Sequence, residues 1–195
     1  MTNIAVFASG NGSNFQAVAD ACKNGTIAGD VVLVVCDKPG AFVEKRAEQA
    51  GVPLFSFSPK SYSSKAAFEM ELVKKLHEQQ ADLIILAGYM RLIGENLLKA
   101  YEGRILNIHP SLLPAFPGLD AIGQALEAEV KVTGVTVHLV DEGMDTGPIL
   151  AQKPVTIDTE DKRTDVEAKI RQIEHTLYPQ TVQYWIEAYK GVEKH

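Results

Sequence analysis

Between residues 4 and 108 the chain alternates short β-branched runs with amphipathic stretches, the pattern of βαβ units that feed a parallel sheet. The runs at 4–8, 31–36, 54–57, 83–87 and 105–108 are apolar enough to be covered on both faces. Helices are expected between them. Residues 14–23 carry Val18, Ala21 and Cys22 at helical spacing, 41–50 carry Val43, Ala47 and Ala50, and 65–79 carry Phe68, Leu72 and Leu76. Gly51-Val52-Pro53 is a stop signal.

The rhythm changes after the fifth run. From His109 to Gly118 three prolines (Pro110, Pro114, Pro117) exclude a helix or a central strand, so this stretch is a shaped, rather rigid loop. Residues 133–140 read as a sixth strand and 149–155 as a seventh, joined by a polar, glycine-containing turn that makes the sheet mixed. Residues 162–189 are helical in pattern, with Val166, Ile170, Ile173 and Leu177 apolar, and Pro179 predicts an end or a kink near Leu177. No repeat, low-complexity tract or linker interrupts the chain. The expectation is one α/β domain over 1–195: an open, twisted, Rossmann-like sheet of about seven strands, mostly parallel with an antiparallel C-terminal part, and helices on both faces.

With 46% hydrophobic and 23% charged residues, the chain has too much apolar content for disorder, and no period suggests collagen or a coiled coil. A net charge of -6 without a Lys/Arg cluster gives no footprint for nucleic acid, though a small anion held by local donors fits. No apolar run approaches the roughly 20 residues of a membrane span. The N-terminus passes directly into Ile4-Ala5-Val6-Phe7 with no basic region or cleavage site, which predicts a cytoplasmic protein. Cys22 and Cys36 lack CxxC spacing and are expected to be reduced and packed as small apolar residues. No His, Cys or Asp spacing matches a zinc or EF-hand site, so no metal is predicted.

Two places carry chemistry. Ser9-Gly10-Asn11-Gly12-Ser13-Asn14 follows the first strand and opens the first helix, where open α/β sheets bind phosphate through free helix N–H groups and close backbone approach. It is not the dinucleotide fingerprint, since Phe15 stands where a third glycine belongs, although Asp37 occupies the place of a ribose-binding acid. Nor does a Gly-Lys-Ser/Thr follow, which excludes a P-loop. At the end of the fifth strand Asn107 and His109 flank Ile108, so the period of two puts both on one face at the carboxyl edge of the sheet. Asp145, in the later turn, would orient an imidazole beside it and favour its charged form. His138, alternating with Val137 and Leu139, faces either the site or the sheet; His77 lies on the polar side of a surface helix, and His195 is the last residue.

Gly10-Asn11-Gly12-Ser13-Asn14, Asn107-Ile108-His109-Pro110-Ser111-Leu112-Leu113-Pro114 and the distal Asp145, together with Leu86-Ala87-Gly88-Tyr89-Met90-Arg91-Leu92-Ile93 and Gln172-Ile173-Glu174-His175, closely resemble the folate-dependent phosphoribosylglycinamide formyltransferases of purine synthesis. The resemblance runs from about residue 3 to 188. It implies that Asn107, His109 and Asp145 are catalytic, and that Gly12, Ser13 and Asn14 hold the phosphate of glycinamide ribonucleotide with Glu174 at its ribose. It places Met90, Arg91, Leu92, Ile93, Val140 and Asp141 around the pterin of 10-formyltetrahydrofolate, the cosubstrate. Lys65 falls near an arginine that some members set against the folate glutamate, but a lysine lacks the bidentate fork. Gly118-Leu119-Asp120-Ala121-Ile122 departs from a His-rich version in other members, so no histidine contact is carried over there. The partners implied are small molecules, and the assembly a monomer or homodimer.

The Asn-x-His-Pro-Ser-Leu-Leu-Pro segment also occurs in other formyl-folate enzymes. A formyltetrahydrofolate deformylase would use the same three residues on water, but normally carries an added regulatory domain. A non-catalytic nucleotide- or folate-binding module on the same scaffold is the other rival, since fold does not fix function, and such a module has no use for an oxyanion donor.

Overall fold

Residues 1–192 are described by a computed structural model, with side chains through Tyr189; His195 lies outside them. The first strand, β1 (Thr2–Ala8), is followed by α1 (Ser13–Lys23), β2 (Gly29–Cys36), α2 (Phe42–Ala50), β3 (Leu54–Ser56), α3 (Lys65–Glu78) and β4 (Leu83–Leu86). The remainder comprises α4 (Glu95–Ala100), β5 (Ile105–His109), α5 (Ala121–Glu127), β6 (Val132–Leu139), β7 (Ile149–Thr156) and α6 (Arg163–Val192). The seven strands form one sheet in the order β3-β2-β1-β4-β5-β6-β7. Strands β1 to β5 pair in parallel, and β6 and β7 run antiparallel to their neighbours. The expected mixed, Rossmann-like sheet is therefore present, with helices on both faces.

Two cores follow from strand alternation. Ile4, Val6 and Ala8 of β1 face one side, where Phe15 and Val18 of α1, Val43 of α2 and Val166, Ile170 and Val182 of α6 cover them. Ala5 and Phe7 face the other, against Phe68, Leu72 and Leu76 of α3 and Leu97 of α4. Phe7 is fully buried, and truncating it to alanine would cost about 3–5 kcal/mol. Both edges of the sheet are modest: β3 has three residues, and β7 carries Lys153 and Pro154.

The helix expected to end or kink near Leu177 does not end there: α6 continues through Pro179. The proline has no N–H for the His175 carbonyl, a loss of about 3 kcal/mol in a helix interior. Burial on both sides of it offsets that cost. Tyr178, Val182, Trp185 and Ile186 are buried against the sheet, and the Tyr178 hydroxyl reaches the carbonyls of Leu86 (2.9 Å) and Leu106 (3.0 Å). The short helices α4 and α5 carry too few turns for a readable period. The Asp120 side chain caps α5 by accepting the Gly123 N–H.

The strand order places the site. Between β1 and β4 the connections leave in opposite directions, and the crevice at the carboxyl ends of such neighbours is where open α/β sheets bind ligands. The turn after β1, the irregular segment after β4 and the loop after β5 all open onto it.

Candidate active site

The turn after β1 is built for close approach. Gly12 has a φ of 77°, caps the N-terminus of α1, and a Cβ there would meet Val43 Cγ2 at 2.6 Å. Only glycine fits both demands. Arg46 of α2 braces the turn, donating from Nε to the Asn11 carbonyl (2.9 Å) and from Nη2 to Asn11 Oδ1 (3.0 Å). Asn14 donates from Nδ2 to Glu174 Oε2 of α6 at 3.1 Å, while its Oδ1 is buried without a partner. Burial pushes the Glu174 carboxyl above the ordinary carboxylate range, against the pull of the Asn14 bond and of Arg171.

Across the crevice, Asn107 and His109 end β5, both on one face as their spacing predicts. His109 Nε2 donates to the Phe116 carbonyl at 2.8 Å, and Nδ1 faces Asp145 Oδ2 at 3.4 Å. Asp145 sits in the turn between β6 and β7 with φ 57°, an unusual conformation for a non-glycine residue, and its Oδ2 accepts the Gly118 N–H at 2.8 Å. Burial opposes the charge on Asp145, but the His138 ring, the Gly118 N–H and the nearby His109 together hold its carboxyl below the usual range. At Gly147, the far end of this turn, a Cβ would overlap the Leu139 carbonyl oxygen. The chain can return to β7 there only as glycine.

His138 also belongs to this group. It pairs with Asn107 across β5 and β6 and is 2% exposed. Its Nδ1 donates to the Leu139 carbonyl at 2.8 Å, and its Nε2 lies 3.2 Å from Asn107 Nδ2 and 3.6 Å from Asp145 Oδ1. The Asn107 amide is thereby held at the end of β5 beside His138 and close to Asp145.

A cleft of about 420 Å³ joins these pieces. It is lined by Asn14 and Glu174, by Met90, Arg91, Leu92, Ile93, Val140 and Asp141, and by Asn107, His109, His138 and Asp145. Ser13 lies beyond the Asn14 rim, in an adjoining groove with Arg46 and His175. Lys65 is not among the cleft-lining residues, and its ammonium lies 4.0 Å from Glu69. Asp141 caps its own turn, accepting from the Gly143 N–H (3.1 Å) and Thr146 Oγ1 (2.7 Å). Cys22 and Cys36 are free thiols outside the cleft, both raised above the ordinary thiol value by burial, Cys22 to about 11. Among the described residues no cluster of three or more His, Cys, Asp or Glu could hold a metal, and no helix is long and apolar enough to cross a membrane.

Residues 2–182 match the family model described as formyl transferase. The chain belongs to the formyl transferase family. It is 56% identical over 182 residues to phosphoribosylglycinamide formyltransferase of Bacillus subtilis, covering 93% of each chain. Among solved structures, glycinamide ribonucleotide transformylase 1 from Geobacillus kaustophilus superposes with a TM-score of 0.92 at 59% identity, covering 94% of this chain and 98% of that one. Phosphoribosylglycinamide formyltransferase from Bacillus halodurans gives a TM-score of 0.92 at 54% identity, covering 94% of both. The seven-stranded mixed sheet is thus the fold of these formyltransferases.

Proposed function

We propose that this protein transfers the formyl group of 10-formyltetrahydrofolate to the amine of glycinamide ribonucleotide, the step of purine synthesis performed by its relatives. The observation that carries the reading is that Asn107, His109 and Asp145 line one cleft together with Asn14, which follows the phosphate-type turn, and with the irregular, largely apolar segment 88–93. The ribonucleotide lies with its phosphate at Gly12, Ser13 and Asn14 and its ribose at Glu174. The pterin lies along the backbone of residues 90–93 and the 140–141 turn, and the formyl carbon falls between the two ligands.

Attack by the amine on that carbon produces a tetrahedral oxyanion. An amide N–H of Asn107 and the Nδ1–H of His109 are the donors for it, an effect typically worth about 3–4 kcal/mol per donor. His109 can fill this role because the Phe116 carbonyl fixes Nε2–H, so the ring presents Nδ1 towards Asp145 and the cleft. With Nε2–H given to the carbonyl, Nδ1 stands 3.4 Å from Asp145 Oδ2, a long contact that lets its N–H turn to the oxyanion as that forms. Asp145, charged and 3.4 Å away, receives the amine proton directly or through water and passes it towards the departing folate nitrogen. The step needs no covalent enzyme intermediate.

The test is incubation with 10-formyltetrahydrofolate, with and without glycinamide ribonucleotide. Release of tetrahydrofolate that depends on the ribonucleotide and yields formylated product is the expected result. Release without the acceptor would make the chain a hydrolase, and no release in either case would make it a binding module.

A further inference from the structure

The acid that ends the β2 side of the crevice has no part in the proposed reaction, yet it is buried. Asp37 has a side chain 1% exposed and lies outside the cleft lining. In dinucleotide-binding sheets an acid at this place faces a ribose. Here both oxygens are taken up inside the protein. Oδ1 accepts the Ser9 hydroxyl at 2.5 Å and Oδ2 accepts Arg91 Nε at 2.7 Å. Ser9 Oγ in turn accepts the Met90 N–H at 2.9 Å, and the Ser9 N–H donates to the Gly88 carbonyl at 3.1 Å. One carboxylate therefore ties together the end of β1, the end of β2 and the segment that leaves β4.

That segment has unusual needs. Residues 88–93 form no helix or strand, and all of them line the cleft. Tyr89 packs edge-on to Phe7 and Ile93 is buried, but between them Met90 is 65% exposed and Leu92 55%, so packing holds little of the middle of the segment. Its far end is pinned separately, by the Gly94 N–H donating to the buried Glu69 carboxylate at 2.6 Å. A buried carboxylate is costly unless its oxygens are filled, and Asp37 meets that condition through groups whose other bonds set the backbone of 88–91.

We propose that Asp37 is a positioning residue which, acting through Ser9 and Arg91, holds the backbone of residues 88–93 in the form that receives the folate. The proposal rests on reading this wall as the folate side of the cleft. Preorganisation of this kind raises affinity for the ligand that meets the wall and leaves the ligand at the other end largely untouched.

The test uses Asp37→Asn, Ser9→Ala and the double variant in the full chain. Calorimetric titration with a non-reactive folate analogue and, separately, with glycinamide ribonucleotide reads the two ends of the cleft. The expected result is a folate Kd raised about tenfold or more in each single variant, the change that accompanies loss of a charge-assisted hydrogen bond. The ribonucleotide Kd should stay within about twofold, and the double variant should fall short of the product of the singles, because both cut the same run of bonds. Amide exchange at residues 88–93 should quicken in step. Ser9→Ala removes a single oxygen and carries the test by itself if the Asp37 variant does not fold. Equal weakening of both ligands, or unchanged folate affinity with unchanged exchange, overturns the proposal. Wild-type protein that fails to bind the analogue overturns the folate reading, and this proposal with it.

Discussion

The parallel and antiparallel halves of the sheet build their share of the site by different means. In the parallel half each feature starts locally: a strand ends, a turn follows, and residues a few positions apart, such as Gly12 and Asn14, form it, with Arg46, Glu174 and Asp37 bracing it from a distance. In the antiparallel half the groups meet only through long returns of the chain. Asn107 meets His138 through strand pairing, and Gly118 meets Asp145 through a loop-to-turn hydrogen bond. On the proposed reading, a feature that starts locally can lose one ligand and keep the other, whereas groups brought together by long returns of the chain depend on one another.

The largest effect expected of that contrast is at Asp145. Asp145→Asn should lower kcat by roughly 10²–10⁴ with the fold intact, the range for loss of a positioned proton-transfer group. Asn107→Ala and His109→Ala should show losses of similar size that do not add in combination, as expected of groups acting on one transition state. Steady-state kinetics on the folded variants checks both statements. Near-wild-type kcat in Asp145→Asn would break the comparison outright.

A smaller and more selective effect is expected in the parallel half. Ser13→Asp sets a negative charge at the N-terminus of α1 against the phosphate, and should weaken ribonucleotide binding by about tenfold while sparing folate. Separate titrations decide it. Equal loss of both ligands would mean that the turn supports the whole site and that the halves are not independent.

The smallest effect concerns acid. Asp145 is held below its ordinary value of 3.8, so the stability it contributes is complete above that value and is lost as pH falls through the lower folded-state pKa. Glu69 is the reverse: burial raises it above 4.5, against the Gly94 N–H and Lys65, so its charge burdens the fold near neutrality and stability recovers as pH falls through the raised value. Urea unfolding of wild type, Asp145→Asn and Glu69→Gln across acid pH should therefore show wild type losing ground to the first variant and gaining on the second. Curves moving in the same direction would contradict the assignment of opposite burdens.

Much of the architecture is legible in the sequence, because β1, β2 and β4 are apolar runs and the helices between them carry a clear period. Asn107 and His109 are legible for the same local reason, the two-residue repeat of a strand. Strand register is not written locally, so the face that His138 takes follows only from its pairing with Asn107. Pro179 does not end the helix, because the rule against an interior proline weighs only the helix, and here buried neighbours outweigh it. Asp37 misleads in another way. Its position fits a ribose acid, but Ser9 and Arg91, 28 residues before it and 54 after it, claim both oxygens.

The two edges of the sheet also govern how the chain behaves among its own copies. A strand edge is a template for a neighbour's backbone, and a crowded population of newly made chains tests every such template. At one end β3 offers only three residues. At the other, Pro154 removes a donor and Lys153 adds a charge within the last rungs of β7. A second copy adding to that edge would lose a rung part-way along, so the sheet resists growth into a fibre at the cost of one hydrogen-bond donor.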